Sequence, residues 1–328
     1  MADKIRFSVV IPCFNEAGYV ADALLSLQKQ DFDGGGPGGG FEVIVVDNNC
    51  TDDTAQIARD LGARVVTEPE PGVCNARQRG TLEARGEIVV SADADTVYSR
   101  DWLSRIDAAF RASDDIVAVV GPCEYADGPR WGRTYGRALF GAVNGVYKLT
   151  GRAMYASATN IAFRRDAFTG YDTNLTQGGD ELDQLRRLRK RGRVVYAHAN
   201  PTFTSGRRFT RGLGYNVFVS LPVHYLLTYG VNRIAGRRVL GSAPAFRLPS
   251  ALSGTSPAVS PVSSLASPAL SAASPASLAV SGITSPSRAA MPRYPGYRDD
   301  LDPIQGDDLD PGRDDLEPAR SDGLEVVR

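Results

Sequence analysis

Residues 87–98 read Glu-Ile-Val-Val-Ser-Ala-Asp-Ala-Asp-Thr-Val-Tyr, and the fold is decided here. Ile88, Val89 and Val90 make a short β-branched apolar run after Arg85-Gly86, the composition of a strand buried on both faces of a sheet. Asp93 and Asp95 follow at once. Carboxylates two residues apart at a strand's carboxyl end turn to one side, at the edge where open α/β sheets bind ligands. A divalent cation shared with a diphosphate is one use for such a pair, because Mg2+ or Mn2+ takes hard oxygen ligands from one or two carboxylates plus phosphate oxygens. A solvated acidic turn is the other, and the pair alone does not separate them.

Working outward from that stretch, strands and helices alternate with short connections. Phe7 to Ile11 is expected as a first buried strand closed by Pro12, and Asn15 or Glu16 as the start of a helix carrying Val20, Leu24 and Leu27 at helical spacing. Glu42 to Val46 reads as a second strand ending at Asp47, followed by a helix capped by Thr51 or Asp52 and stopped by Gly62. Arg64 to Thr67 is a strand, Val73 to Ala84 a helix, Asp101 to Ala112 a helix and Ile116 to Val120 a strand. From Arg130 to Tyr155 the apolar positions 139, 140, 143, 146 and 147 fit one helical face. Thr159 to Phe163 reads as a strand, Leu182 to Arg191 as a helix and Val194 to Ala197 as a closing strand. This alternation predicts an α/β fold, a doubly wound and mostly parallel sheet flanked by helices. Its carboxyl edge then collects Cys13 to Glu16, Asp47, Asp93 and Asp95.

Composition sets outer limits. The 328 residues are 42% hydrophobic and 23% charged with a net charge of -1, an ordinary globular balance. The neutrality hides a division, since residues 293–328 carry 11 acidic and 5 basic side chains, leaving a mildly basic body. That bias suits anionic ligands and is too weak to indicate nucleic acid. Cys13, Cys50, Cys74 and Cys123 show no zinc or disulfide spacing. With no signal-peptide pattern before Pro12, a setting in the cytoplasm or at the inner face of the membrane is expected. The glycine-rich segment from Asp33 to Gly40 precedes a strand, so it reads as a flexible loop and not as a phosphate cradle.

Three segments are expected: residues 1–210 as the folded domain, 211–240 as an apolar helical segment, and 241–328 as a disordered tail. Between Gly212 and Asn232 no residue is formally charged, a length that would span a bilayer. Pro222, His224 and three glycines weaken that reading, and a helix docked on the body or lying at a membrane interface is preferred. Residues 250–287 are mostly Ser, Ala and Pro, and three Asp-Asp-Leu-Asp/Glu-Pro repeats follow, a composition that cannot bury enough apolar surface to order a backbone.

Six motifs in this order resemble the family 2 glycosyltransferases, which have the GT-A fold. They are Val-Val-Ile-Pro-Cys-Phe-Asn-Glu at 9–16, Val-Val-Asp-Asn-Asn-Cys-Thr-Asp-Asp-Thr at 45–54, and Gly72 with Ala76-Arg77 and Gly80. Asp-Ala-Asp at 93–95, Thr-Asn-Ile-Ala-Phe-Arg-Arg at 159–165 and Gly-Asp-Glu-Leu-Asp at 179–183 complete them. The resemblance covers residues 6–208 and implies transfer of a sugar from a nucleoside diphosphate sugar, of UDP or GDP type, to an acceptor hydroxyl, by an inverting reaction using Mg2+ or Mn2+. It implies that Pro12, Cys13, Asn15, Glu16 and Asp47 hold the donor nucleoside, that Asp93 approaches the ribose, and that Asp95 binds the metal bridging the diphosphate. Arg77 is expected either to contact phosphate or to be a solvated helix arginine, and Asn160 either to approach the acceptor or to bond buried backbone. Family members carry Glu-Asp where this chain has Asp180-Glu181. By position Glu181 is the catalytic base, with Asp180 the alternative, and helix capping a competing role for both. A helix start there would favour the ionised forms. His198 is left out of the metal set. Arg207 and Arg208 are expected either near the diphosphate or as a solvated basic cluster. The acceptor is expected to be lipid-linked or a glycan, with peripheral membrane contact through 212–232. Two rivals stand beside this reading. One is a sugar nucleotidyltransferase, which would need a glycine-rich basic loop after the first strand. The other is a non-catalytic nucleotide-binding scaffold.

Overall fold

The computed structural model describes residues 5–32, 40–175 and 180–216, and 218, 219, 223, 227–236, 239 and 240 beyond them. The expected loop at 33–39, the glycines at 178 and 179, and the expected disordered tail at 241–328 lie outside the described residues.

A seven-stranded sheet carries the molecule. Its strands are β1 (Phe7–Cys13), β2 (Phe41–Asp47), β3 (Arg64–Thr67), β4 (Ile88–Ser91), β6 (Ile116–Val120), β8 (Ile161–Arg164) and β9 (Arg193–Tyr196), in the spatial order β3-β2-β1-β4-β8-β6-β9. All run parallel except β8, which is antiparallel to both of its neighbours, β4 and β6. All four residues of β4 are buried, as are Phe7 to Val10 beside it, so the continuous apolar runs mark strands covered on both faces.

Alternation along β1 supplies both cores. Val9 and Ile11 point into one core with Leu24 and Leu27 of helix α1 (Val20–Gln28) and Trp102 and Ile106 of α4 (Trp102–Arg111). Val10 points into the other with Ala76 of α3 (Val73–Glu83), Val143 of α5 (Arg130–Thr150) and Leu185 and Leu188 of α6 (Asp180–Leu188). Each fully buried aliphatic or aromatic side chain removed from water contributes roughly 1.5–3 kcal/mol before entropy is charged against it. The remaining helix among the early crossovers, α2 (Thr54–Asp60), ends at Gly62, whose φ of 79° is the left-handed stop expected of a glycine. α3 lies close on the sheet because Gly80 has no side chain: a Cβ there would come within 2.8 Å of Val46 Cγ2 and closer still to Val10.

The expected strand end at Pro12 is corrected, since β1 continues to Cys13 with Pro12 opposite Val46. A proline is tolerated inside this central strand because β4 pairs with β1 only as far as Val10, so no second neighbour asks for the missing N–H at position 12. A second, three-stranded sheet was not expected from the sequence. It consists of β5 (Thr96–Val97), β7 (Cys123–Tyr125) and β10 (Thr202–Thr204), with β10 central, and it sets Thr204 opposite Thr96.

After a 3-10 turn at Arg207–Arg211 come two short helices, α7 (Gly212–Tyr215) and α8 (Thr228–Ala235). The expected domain end at 210 falls inside that turn. Arg233 of α8 reaches Asp183 of α6 at 3.4 Å, so this part of the apolar segment docks on the body. Among the described residues no helix is long and apolar enough to cross a membrane.

Candidate active site

The carboxyl ends of β1, β2 and β4 sit side by side, with Cys13 opposite Asp47 in register. The chain leaves β1 through Asn15, whose φ of 56° is left-handed, and its amide side chain is exchanged with Thr51: Oδ1 accepts from Thr51 N–H at 2.7 Å and Nδ2 donates to Thr51 Oγ1 at 3.1 Å. Glu16 N–H donates to Thr54 Oγ1 at 2.8 Å. Asp47 Oδ1 accepts from the Cys50 N–H at 2.9 Å. Asparagine suits the left-handed position because its short amide bonds locally. The loops after β1 and β2 thus brace one another. Burial pushes the Cys50 thiol up to about 11, so it stays protonated and unreactive at neutral pH.

Beyond β4, the backbone of Asp93 is fixed by Tyr98, whose hydroxyl accepts from the Asp93 N–H at 3.0 Å and donates to its carbonyl at 3.2 Å. Tyr98 is fully buried and its ring lies 4.2 Å from that of Trp102. Asp95 is reached from β10: Thr204 Oγ1 lies 3.4 Å from its carboxylate, and Ser205 N–H donates to its carbonyl at 3.0 Å.

Two arginines tie these loops together. Arg207 donates to both oxygens of Glu16, at 2.7 and 2.9 Å, stands 3.0 Å from Asp95 Oδ2, and lies over the ring of Tyr19 at 4.7 Å. Burial opposes its charge, but Glu16 and Asp95 outweigh that, and its pKa lies above the ordinary arginine value. Arg77, on α3, donates to Asp93 Oδ1 at 2.7 Å and to Ser91 Oγ, and its Nε lies 3.0 Å from Asp180 Oδ2, close enough for an ion pair though off the line of a hydrogen bond. The expectation of a solvated helix arginine is corrected: Arg77 is 4% exposed, because α3 and α6 cover the same face of the sheet and its side chain runs between them. With Asp93 and Asp180 as partners, its guanidinium is committed to protein charges.

Asp180 and Glu181 open α6 and both are buried. The expected ionisation by the helix start is corrected for Glu181. Its carboxyl is driven well above the usual carboxylate range by burial, and further by the adjacent Asp180. A helix N-terminus stabilises an anion by roughly 0.3–1 kcal/mol, less than one pKa unit, whereas burial shifts a carboxyl by up to about 3–5 units. Desolvation wins. Burial likewise raises the Asp95 carboxyl, against the pull of Arg207.

Asn160 is 3% exposed, and its amide donates to the carbonyls of Pro122 at 2.9 Å and Asn200 at 2.8 Å while its oxygen accepts from Trp102 Nε1 at 3.1 Å. Of the two roles expected for Asn160, these bonds match the one to buried backbone, joining the residues after β6 and before β10 to the start of α4. His198 is exposed two residues beyond the end of β9, and its ring stacks 6.1 Å from that of Tyr196. Two groups were missed in the sequence. Asp127 accepts from Ser205 Oγ at 3.0 Å and from Gly206 N–H, shaping the turn that presents Arg207. Gln184, one turn along α6 from Asp180, is buried with neither amide atom hydrogen-bonded among the described residues. Nothing in their local sequence distinguishes either residue.

No group of three His, Cys, Asp or Glu side chains gathers to hold a metal among the described residues. Asp95 with Asp93 nearby nevertheless fits a hard cation shared with a diphosphate, which needs only one or two carboxylates and takes its other oxygens from phosphate and water. Asp95 is already ion-paired with Arg207, so cation binding there exchanges one positive partner for another.

The family profile described as "Glycosyl transferase family 2" matches residues 8–171, half of the chain. The chain belongs to this family. Among relatives of this family 2 chain, an uncharacterised glycosyltransferase of Mycobacterium tuberculosis is 36% identical over 110 residues, covering 34% of this chain and 46% of the relative. The poly(ribitol-phosphate) β-N-acetylglucosaminyltransferase TarS of Staphylococcus aureus is 34% identical over 105 residues, covering 30% of this chain and 18% of TarS. The match thus spans less than half of the length of either relative. The mannosyltransferase PcManGT of Pyrobaculum calidifontis, solved with GDP-Man and Mn2+, superposes with a TM-score of 0.51 at 22% identity, covering 74% of this chain and 67% of that one. That likeness shows the shared fold.

Proposed function

We propose that this family 2 chain transfers a sugar from a nucleoside diphosphate sugar to an acceptor hydroxyl with inversion, in a domain ending near residue 210. The observation that supports the reading is the pair of arginine bridges: Arg207 joins Glu16 to Asp95, and Arg77 joins Asp93 to Asp180, so the loops after β1 and β4 and the start of α6 are tied together. Pro12, Cys13, Asn15, Glu16 and Asp47 hold the nucleoside, and Asp93 the ribose. Asp95 would hold a divalent cation, Mg2+ or Mn2+, which when bound would supply positive charge to neutralise the diphosphate. Arg207, anchored on both oxygens of Glu16, adds positive charge at the same edge.

Glu181 takes the proton of the attacking hydroxyl. Its raised proton affinity makes the ionised form a stronger base than an ordinary glutamate, at the cost of a higher pH for activity. Asp180, held by Arg77, keeps that affinity high. The PcManGT complex, with its GDP-sugar and Mn2+, and TarS, an N-acetylglucosaminyltransferase, support a sugar-nucleotide donor.

Incubation of the full chain with Mn2+ and a panel of UDP- and GDP-sugars is expected to release nucleoside diphosphate from at least one donor. Asp95→Asn should lower that rate by roughly 100- to 1000-fold, the scale for losing one electrostatic stabiliser of the transition state. Release from no donor, or an undiminished rate in the variant, contradicts the reading.

A further inference from the structure

At the edge of the main sheet opposite the crevice lies a second concave surface. β6 and β9 run in the same direction as β1 and β4, so Arg193, the first residue of β9, marks the amino edge, and α6 runs from the crevice at Asp180 down to the same edge. Between the end of α5, the end of α6 and the start of β9 is a cavity of about 510 Å³. Arg152, Arg186, Arg189, Lys190 and Arg193 line it, and no acidic residue does.

Among the described residues only Arg193 is neutralised, by Asp115 at 2.9 and 3.0 Å. Arg189 donates to the Ala153 carbonyl at 3.1 Å and meets no carboxylate, and Arg152, Arg186 and Lys190 have no ion-pair partner among the described residues. Like charges gathered around a concave wall raise the local potential and draw an anion. Guanidinium forks match phosphate oxygens in pairs. Met154 lines the cavity and is 51% exposed, and Val146 and Leu149, on the last turns of α5 just before the lining residue Gly151, are 41% and 88% exposed. Exposed aliphatic side chains beside unpaired basic ones are the composition of a surface that rests on anionic lipid.

We propose that this cavity binds the phosphate of an anionic lipid headgroup, with Val146, Leu149 and Met154 against the acyl boundary. The site is independent of the sugar-transfer reading, because none of its residues belongs to the crevice. It places membrane contact at the α5–α6 end of the body.

The test is co-sedimentation of the full chain with phosphatidylcholine vesicles, with and without phosphatidylglycerol, alongside calorimetric titration with inorganic phosphate. Each basic side chain near an anionic surface contributes roughly fivefold in binding, so Arg152→Gln/Arg186→Gln/Lys190→Gln should weaken binding to phosphatidylglycerol vesicles on the order of 100-fold. Nucleoside diphosphate binding should be unchanged in that variant, which also shows that it is folded. Leu149→Ser should weaken vesicle binding and leave phosphate binding alone. Equal binding of wild type and triple variant to phosphatidylglycerol vesicles, or no preference of the wild type for them, overturns the proposal. Loss of phosphate binding alone in the triple variant also overturns the lipid assignment and identifies a free phosphate as the ligand.

Discussion

Glu181→Gln is expected to lower sugar transfer by roughly 100- to 10,000-fold while making the protein more resistant to heat at neutral and alkaline pH. The two effects share one cause. Burial and Asp180 hold the Glu181 carboxyl well above its ordinary value of 4.5, so the folded protein binds that proton more tightly than the unfolded chain does. The stability this confers is present below the unfolded value and is lost as pH rises through the folded pKa, where a buried charge must form. Glutamine remains neutral throughout and avoids that loss. Thermal unfolding at a series of pH values should therefore show wild type and variant converging in acid and the variant gaining as pH rises. The rate profile of the wild type should have its acid limb above the ordinary carboxylate range. An acid limb near 4.5, or a variant less stable at alkaline pH, would show that Glu181 is solvated and ionised.

Arg77→Met is expected to destabilise the fold by about 3–5 kcal/mol, because it leaves Asp93 and Asp180 without their shared cation in a buried setting. For a domain of this size that is a fall in Tm on the order of 10 °C. Asp180→Asn in the Arg77→Met background should recover part of the loss, since one stranded charge is removed; the same substitution alone should destabilise. This reversal of sign in a double-mutant cycle separates an electrostatic bridge from simple packing. Arg77→Lys should restore charge but not the simultaneous reach to Ser91, Asp93 and Asp180, and should fall between the two. A Tm unchanged in Arg77→Met would contradict the bridge.

Much of the architecture was legible because its signals are local. β3 and β6 begin and end at the residues expected, and β4 is extended by one residue beyond its apolar run. The alternation of strand and helix fixed the layers, and the antiparallel sense of β8 follows from the long excursion through α5, which no periodicity records. β5, β7 and β10 have two or three residues each, too few to show a period of two. Asp180-Glu181 follow the antiparallel β8 and were singled out only by the family resemblance, whereas the loops carrying Asp47, Asp93 and Asp95 could be placed at one edge from strand ends alone. Their partners could not. Arg77 and Arg207 are ordinary arginines in sequence, and only the shared face of α3 and α6, and the turn held by Asp127, commit them to particular carboxylates. The proton affinity of Glu181 was misread for the same reason: a helix start is visible in sequence, but burial of its first turn is a tertiary property.

The central claim is that the crevice between Asp47, Asp93 and Asp95 grips a nucleoside diphosphate. Isothermal titration of the full chain with UDP and with GDP, in Mn2+ and then in chelator, tests it most directly. Saturable binding of one of them, weakened at least on the order of tenfold when the cation is removed, is the predicted result. Binding of neither nucleotide in Mn2+ would contradict it.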